Sequence, residues 1–297
     1  MIIIDYYNEI KERLINNEII KRAKDYSKNK SDLNTYYEVG RMLSEAGKHY
    51  GEGIIKEYAK CLTVDFNKKY DSSTLNKMRK FYNLIKKMAT LSPKLTYSHY
   101  VELLPIDDLN KVKYYIKITE DYNLSIRELR EHIKSLEYER LSEDAKNNLL
   151  DDNSKIEDYI KNPIIIKNSF GINNISEKVL QRLILEDISS FMNELGEGFS
   201  FIDNEYKIKI GERYNYIDLL LYNIKYNCYV VVELKITELK KEHIGQIETY
   251  MNYIDKKLKR IDHDKTIGII IVKKDNNFIM EYCSDSRIIK TTYKIIK

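Results

Sequence analysis

The spacing of apolar residues changes once along this chain, close to Pro163, and that change constrains the fold more than any other feature. Before residue 160, apolar residues recur every three or four positions, which is typical of helices packed on one face. After Pro163, Tyr206, Ile208 and Ile210 alternate with lysines, and residues 228–236 are almost continuously apolar. These patterns predict a helical part followed by a part with a β-sheet.

A polar stretch, residues 142–162, separates the two parts and is interpreted as a linker. We therefore expect an α+β protein of two domains. Residues 1–141 form an all-helical domain, and residues 163–297 form an α/β domain with a mixed central sheet. Its helices are expected at 177–195 and 238–256, and its strands at 199–202, 206–210, 216–222, 228–236, 266–272 and 277–282.

Composition excludes several classes of protein. The 297 residues carry a formal net charge of +4 and include 43% hydrophobic residues, as in ordinary globular proteins. No apolar run approaches the roughly 20 residues of a membrane helix, and the N-terminus lacks the basic region of a signal peptide. The three cysteines lie far apart, which argues against a disulfide framework and a zinc site. A cytoplasmic protein without membrane attachment is expected.

Two predicted strands carry charged residues where a buried strand should be wholly apolar. Asp218 interrupts one strand, and Glu233 and Lys235 interrupt the next. If the turn between them is centred near residues 225 and 226, antiparallel pairing sets Asp218 across from Val232 or Glu233. Because side chains alternate along a strand, Glu233 and Lys235 share one face. We therefore expect two carboxylates and an ammonium group at one site.

Two interpretations of this cluster stay open. A Glu-x-Lys on a strand is most often a strand-end ion pair with a structural role. Alternatively, the carboxylates of Asp218 and Glu233 and the carbonyl of Leu234 are the hard oxygen ligands that Mg²⁺ or Mn²⁺ prefers. A metal held there lowers the pKa of a bound water and stabilises charge on a phosphate, with Lys235 beside the attacking water.

The helix after Lys235 adds a polar and aromatic stripe to this region. His243, Gln246, Tyr250 and Tyr253 recur at helical spacing beside an apolar stripe. Such a stripe is most often the ordinary shoulder of a helix. Its position directly after the Glu-x-Lys also makes it a candidate wall for a substrate.

Together these residues carry a known motif. The series Asp218, Glu233-Leu234-Lys235 and Gln246-x-x-x-Tyr250 resembles the PD-(D/E)XK nuclease signature. The surrounding text is similar to YhcG-like bacterial and archaeal proteins, which join an N-terminal helical, winged-helix-like domain to a C-terminal PD-(D/E)XK domain. The similar segments are YYEVGRMLSE, SSTLNKMRKFY, LTYSHYVELL, LSIRELREHI, ELGEGFSFIDNEYKIKIGERYNYIDLLLYNIKYNCYVVVELKI and GQIETYMNYID, from about residue 30 to about residue 285.

The resemblance implies a restriction-endonuclease-like fold and metal-dependent hydrolysis of DNA phosphodiester bonds. Carried over by position, Asp218 and Glu233 are metal ligands and Lys235 is the catalytic lysine. Gln246 and Tyr250 face the cleaved strand. The ion is expected to be Mg²⁺ or Mn²⁺.

Two positions of the family pattern need comment. An accessory acidic ligand is expected on the helix before the sheet, and Glu186 is preferred over Glu177 by its distance to the first strand. Glu186 is therefore included among the expected metal ligands. The proline of the motif's name is replaced by Ile217, at a position that this fold keeps only loosely.

A basic block in the helical half suggests a second contact with nucleic acid. Residues 68–94 contain eight lysines and arginines against Asp71 alone. Residues 62–70 and 72–87 fit a helix, a short turn and a second helix, as in a helix-turn-helix DNA-binding domain. The alternative is a packing module with a basic outer face. The candidate DNA-binding residues on the second helix are Asn76, Lys77, Arg79, Lys80 and Asn83.

These features lead to one function and two alternatives. The expected protein is a metal-dependent DNA endonuclease of restriction or genome defence, with DNA, restriction-modification components and a second copy of the chain as expected partners. One alternative is a DNA-binding or assembly protein whose nuclease fold is inert. The other is an interaction module that acts within a larger complex. Target sequence, strand polarity and the choice between DNA and RNA do not follow from the sequence.

Overall fold

The computed structural model of the chain describes residues 4–22, 28–66, 70–89, 91–150 and 154–296. The chain divides into two units, Met1–Leu136 and Glu137–Lys297. The first unit is helical throughout its described residues, as predicted. Its helices are α1 (Ile4–Arg22), α2 (Lys28–Tyr50), α3 (Gly53–Phe66), α4 (Ser72–Met88), α5 (Tyr97–Leu103), α6 (Leu109–Tyr122) and α7 (Ile126–Lys134).

Helix α4 is defined by its cap and by its buried face. Asp71 is the N-cap, and its Oδ1 accepts the N–H of Thr74 at 2.7 Å. At Gly40 of α2, a Cβ would lie 2.2 Å from the carbonyl oxygen of Met78, so glycine permits the close approach of α2 and α4. The buried residues of α4 are Leu75, Met78, Phe81, Leu84 and Ile85.

Residues 125–128 have the Ser-x-x-Glu form of a capping box, and the structure confirms it at the start of α7. The Oε2 of Glu128 accepts the N–H of Ser125 at 2.7 Å, and the Oγ of Ser125 accepts the N–H of Glu128 at 3.3 Å. The helix ends at Lys134, and Leu136 adopts a positive φ of 54° in the turn that follows. The described part of the first unit contains no strand. It therefore shares only the helices, and not the β-hairpin, of the winged-helix-like domain that the resemblance implied.

The second unit is a mixed α/β domain, as predicted. A six-stranded sheet has the order β1-β6-β5-β4-β3-β2. Strands β2, β3 and β4 are antiparallel, whereas β4, β5, β6 and β1 are parallel. The strands are β1 (Ile164–Lys167), β2 (Phe199–Ile210), β3 (Arg213–Asn223), β4 (Cys228–Glu238), β5 (Ile267–Lys274) and β6 (Ile288–Ile296). The helices are α8 (Glu143–Leu150), α9 (Ile156–Tyr159), α10 (Glu177–Glu186), α11 (Ile188–Leu195), α12 (Lys241–Lys257) and α13 (Asn277–Glu281), after a 3-10 turn at Tyr138–Arg140.

Both faces of the sheet are covered, which explains the near-continuous apolar runs of β4 and β5. Helices α10 and α11 pack on one face through residues such as Leu180 and Phe191. Helix α12 packs on the other face through residues such as Ile247 and Met251. The charged residues of β3 and β4 therefore lie within a layered core and require partners there.

Several predicted elements differ from the structure. Residues 199–210 form one strand with a bulge between Phe201 and Asp203, not two strands. The expected helix 177–195 is broken at Asp187, which instead caps α11 by accepting the N–H of Ser190. Residues 277–282, expected as a strand, begin with helix α13. The sheet is completed by β1 and β6, which were not predicted.

The segment 142–162 is not an unstructured linker. It contains α8 and α9 and belongs to the second unit. The hydroxyl of Tyr226 donates to the carbonyl of Ser154 at 2.7 Å, and the hydroxyl of Thr291 donates to the carbonyl of Lys161 at 2.7 Å. Because Ile156 is also buried in the core beside the sheet, the described residues 154–162 form an ordered part of the second unit instead of a spacer.

Candidate active site

The site is built where the pairing of β3 with β4 stops. The pair Asn223 with Cys228 lies next to the turn, and the last pair is Leu219 with Val232. The pairing agrees with the hairpin centre expected from the sequence. One residue further along each strand stand Asp218 and Glu233, on neighbouring strands at the end of the ladder.

A backbone hydrogen bond holds Asp218 in this position. The N–H of Leu234 donates to Oδ2 of Asp218 at 2.7 Å, so the side chain occupies a place that a strand carbonyl would otherwise take. On the other side, Nε2 of Gln181 in α10 donates to the carbonyl of Asp218 at 2.8 Å. The backbone at Asp218 is therefore held by a helix and its side chain by the adjacent strand.

Glu233 and Lys235 form the expected ion pair. Nζ of Lys235 lies 3.1 Å from Oε2 of Glu233, and their side chains are 11% and 1% exposed. The other oxygen of Glu233, Oε1, is buried and has no hydrogen-bond partner in the described part of the chain. A buried carboxylate oxygen without a partner is costly, so one lysine does not satisfy this group.

The electrostatics of the site follow from this burial. Burial, and next the charge of Asp218, raise the pKa of Glu233 to about 8. Burial also raises the pKa of Asp218 above its ordinary value. Burial lowers the pKa of Lys235, but the charges of Glu233 and Asp218 outweigh it and the pKa is raised. The lysine is therefore cationic, while the two carboxylates resist being ionised together.

Helix α12 supplies the expected polar and aromatic wall. Nε2 of Gln246 donates to the hydroxyl of Tyr250 at 3.1 Å, and Tyr250 is buried. Burial raises the pKa of Tyr250, and the charge of Glu233 adds to this effect. Burial and the charge of Lys235 lower the pKa of His243. Tyr250, in the middle of α12, thus lies within electrostatic reach of Glu233, and His243, in its first turn, within reach of Lys235.

Of the two accessory acids left open, Glu177 is the one whose charge reaches the central residues, and the choice between Glu177 and Glu186 stays a prediction. The charge of Glu177 contributes to the pKa of both Asp218 and Lys235. Glu177 lies one turn before Gln181, so both project from the same side of α10. Glu186 lies five residues after Gln181, about 140° around the helix, at the end where the chain breaks into α11.

Two residues of the site had no signal in the sequence. Gln181 supports the Asp218 carbonyl from a helix that precedes it by more than thirty residues. Glu205 acts on Asp218 from β2, where it has a positive φ of 49°. In the described part of the chain, no group of three or more His, Cys, Asp or Glu side chains is arranged to hold a metal ion. The accessory acids therefore stand apart from the central pair.

The predicted DNA-binding residues of α4 divide into two groups. The guanidinium of Arg79 pairs with Glu52, with NH1 2.5 Å from Oε2. The side chain of Asn76 donates to the carbonyl of Ser72 at 2.8 Å, within its own helix. The other three are exposed: Lys77, Lys80 and Asn83.

None of the described helices is long and apolar enough to span a bilayer.

Comparisons with known proteins agree with this geometry. Residues 157–296 match the family model of the YhcG PDDEXK nuclease domain, and residues 10–140 match that of the DUF1016 N-terminal domain. The chain is 25% identical over 283 residues to the "Putative nuclease YhcG" of Escherichia coli strain K12, covering 80% of this chain and 75% of that protein.

Two solved structures resemble a smaller part. The crystal structure of a repair endonuclease from Pyrococcus abyssi is 17% identical, with a TM-score of 0.29, and covers 42% of this chain and 49% of that chain. The EndoMS-dsDNA2 complex is 17% identical, with a TM-score of 0.29, and covers 44% and 48%. The chain spans about half the length of both structures. From the two family matches, which cover both units, we conclude that the chain belongs to the YhcG-like family, with a DUF1016 N-terminal domain followed by a YhcG PDDEXK nuclease domain.

Proposed function

We propose that this protein is a divalent-metal-dependent nuclease that hydrolyses phosphodiester bonds of DNA. The observation that carries the proposal is the pair of Asp218, which is half-buried, and Glu233, which is buried, at the end of the β3–β4 ladder. Glu233 is 1% exposed, and its Oε1 has no hydrogen-bond partner among the described residues. Burial, and next the charge of Asp218, raise the pKa of Glu233 to about 8, and a divalent cation between the carboxylates would offset both effects.

The side chains present fit such an ion. Asp218 and Glu233 supply hard carboxylate oxygens, and the carbonyl of Leu234 is a third candidate ligand. Mg²⁺ is the expected ion and Mn²⁺ the second choice, with water completing the coordination. A bound divalent ion supplies a lowered pKa of coordinated water and neutralisation of phosphate charge.

Around the metal ligands, the other residues have separate roles. Lys235 is held by Glu233 and carries a positive charge that favours an approaching phosphate and the charge that builds up on it. Gln246 and Tyr250 are joined by a hydrogen bond and offer polar groups to the cleaved strand. Glu177 takes the part of accessory acid, acting through its charge and through water rather than as a direct ligand.

We further propose that the first unit binds DNA through α4. Lys77, Lys80 and Asn83 are exposed there, while Arg79 is paired with Glu52. Lysines on a helix are suited to phosphate contacts, which carry most of the affinity for DNA. We also propose a role in restriction or genome defence. Restriction-modification components are the proposed partners, and two copies of the chain together cut duplex DNA.

The test is a cleavage assay on purified protein. Labelled duplex DNA, single-stranded DNA and RNA of one sequence are incubated with Mg²⁺, with Mn²⁺ or with EDTA. The proposal expects cleavage of DNA that requires a divalent ion and is abolished by Asp218→Asn. Absence of cleavage with either ion, or cleavage of RNA alone, would contradict it. In the first case the inert DNA-binding or assembly protein becomes the better description.

A further inference from the structure

The hairpin of β2 and β3 extends past the rest of the sheet. Pairing of β3 with β4 covers Leu219 to Asn223, whereas β2 and β3 stay paired as far as Ile210 and Arg213. We define the hairpin arm as residues 205–217. It begins directly beside Asp218, so whatever binds the arm lies next to the proposed catalytic carboxylates.

The two faces of the hairpin arm differ in character. On one face, Ile208 and Ile217 are buried in the core with α12. The other face is exposed and consists of two cross-strand pairs, Lys207 with Tyr216 and Lys209 with Tyr214. We call these four residues the Tyr–Lys face.

The tyrosines of this face are unusually open to solvent. Tyr214 is 56% exposed and Tyr216 is 52% exposed. Nζ of Lys207 lies 3.9 Å from the ring centroid of Tyr214, and Nζ of Lys209 lies 5.9 Å from it. Both ammonium groups therefore lie over the ring of Tyr214, and the cations and rings form one continuous patch.

A purely structural role explains the lysines but not the rings. Strand β2 is at the edge of the sheet, and lysines on an edge strand prevent its pairing with other chains. Cross-strand Tyr and Lys pairs also stabilise a hairpin to a small extent. Neither role requires two large rings half open to solvent on the face away from the core, where they add apolar surface beside the site.

The chemistry of the Tyr–Lys face fits a nucleic-acid strand. Surfaces that bind single strands combine cations, which follow the phosphates, with aromatic rings, on which successive bases stack. Tyr214 and Tyr216 are two residues apart and therefore about 7 Å apart along the strand. Tyr216 is in turn two residues from Asp218, so the Tyr–Lys face ends about 7 Å along β3 from the proposed site.

From these observations we propose that the Tyr–Lys face of the hairpin arm binds an unpaired stretch of the nucleic-acid substrate, next to the scissile phosphate. The rings of Tyr214 and Tyr216 stack on bases, while Lys207 and Lys209 contact phosphates. The inference rests on the proposed nuclease function, and it names the part of the substrate that the second unit holds.

The experiment measures binding of fluorescent single-stranded DNA to the full-length protein in EDTA, so that binding is separated from cleavage. We expect Tyr214→Ala/Tyr216→Ala to weaken binding at least about tenfold, because each stacked base contributes substantially to affinity. Tyr214→Phe/Tyr216→Phe keeps the rings and should bind like the wild type. Tyr282→Ala, at a tyrosine that is 82% exposed, is the matched control.

The lysines are tested by salt dependence. Lys207→Ala should reduce the log–log salt slope by about 0.7, the contribution of one phosphate contact on a single strand. Lys209 is left unchanged because its Nζ lies 3.8 Å from Oε2 of Glu212, and this ion pair would confuse the result. Lys256→Ala/Lys257→Ala, at exposed lysines of α12, should leave the slope unchanged. All the variants change exposed side chains, and a thermal melt equal to that of the wild type confirms that each is folded.

The outcomes separate the inference from the function. If the wild type cleaves DNA but the alanine variants of the Tyr–Lys face bind single strands as well as it does, the inference is wrong and the nuclease stands. If the wild type cleaves nothing but its binding still depends on the tyrosines, the function fails and the binding surface stands. If the tyrosine variant instead changes the sedimentation coefficient with unaltered DNA binding, the face is an interface between two copies and the inference is overturned.

Discussion

Leu234 and Asp218 are joined by a backbone-to-side-chain hydrogen bond of 2.7 Å at the point where their strands stop pairing. The bond turns the carboxylate of Asp218 toward β4, and Glu233 is the residue before Leu234. Two acids from different strands are thereby held in one buried place. This arrangement makes distinct predictions for each charged residue of the site.

Replacement of Lys235 by alanine should separate chemistry from binding. We expect single-turnover cleavage of labelled duplex DNA to fall at least about a hundredfold, the scale for loss of one charge-stabilising group. DNA affinity should change little, and the metal should still bind because both carboxylates remain. Lys241→Ala, at an exposed lysine, is the control. Cleavage at the wild-type rate would mean that the Glu233–Lys235 pair is structural.

Asp218→Asn should lose cleavage and metal binding together. The amide oxygen of the asparagine still accepts the N–H of Leu234, so we expect the fold to be kept while the ligand charge is removed. Calorimetric titration with Mn²⁺ should show at least about a tenfold weaker affinity, since hard cations depend on carboxylate charge. Asp262→Asn, at an exposed carboxylate, should titrate like the wild type. Equal affinity of the two variants for Mn²⁺ would show that the metal site does not include Asp218.

Glu233→Gln should stabilise the metal-free protein, increasingly as the pH rises. The folded protein holds the proton of Glu233 up to a pKa of about 8, whereas the unfolded chain releases it near the ordinary glutamate pKa of 4.5. The contribution of this group to stability is therefore full below about pH 4.5 and is lost as the pH rises toward 8. Glutamine does not titrate.

This pH dependence is measured by thermal unfolding in EDTA between pH 5 and pH 9. The stability difference between Glu233→Gln and the wild type should grow to about 1 kcal/mol or more at the alkaline end. Glu186→Gln, at an exposed acid of α10, is the reference for loss of one carboxylate. A difference that does not vary with pH would contradict the burial of an uncompensated charge.

The accessory acid is decided by comparing Glu177→Gln with Glu186→Gln. Because the charge of Glu177 acts on Asp218 and Lys235, we expect Glu177→Gln to lower the rate of metal-dependent cleavage severalfold. Glu186→Gln should cleave like the wild type. The measurement is the cleavage rate as a function of Mg²⁺ concentration, and the reverse order of the two variants would restore Glu186 as the acid.

The proposed DNA surface of α4 is tested through salt dependence. Lys77→Ala/Lys80→Ala should weaken binding of duplex DNA and reduce the log–log salt slope by about 1.8, since each phosphate contact contributes about 0.9. Arg79 is left unchanged because its ion pair with Glu52 would confuse the result. Lys56→Ala/Lys60→Ala, on α3, is the control, and equal slopes for both double variants would exclude α4.

Local patterns were sufficient for much of the site. The turn position and the alternation of side chains predicted which residues of β3 and β4 meet, because a hairpin leaves little freedom in its register. The Ser125–Glu128 capping box was also read correctly, since a cap depends on residues within one turn. Gln246 and Tyr250 were expected on one stripe of α12, and a hydrogen bond joins them.

Other features depended on contacts between distant segments. A strand was expected at 277–282, but the edge of β5 pairs with β6 instead. The choice between Glu177 and Glu186 depended on which side of α10 faces the sheet. Gln181 decides that side through its bond to Asp218, a contact between residues 37 positions apart.

The sequence by itself determined the chemistry of this protein: two acids and a lysine on neighbouring strands, and a helix with Gln246 and Tyr250 after them. These follow from alternation and turn length, which act over a few residues. Tertiary structure alone decided that Gln181 of α10 supports Asp218, that Oε1 of Glu233 is left without a hydrogen-bond partner among the described residues, and that the hairpin arm extends beyond the sheet. Burial and the limits of strand pairing arise only when segments far apart in the chain pack together. The spacing of residues within a short segment therefore does not predict them.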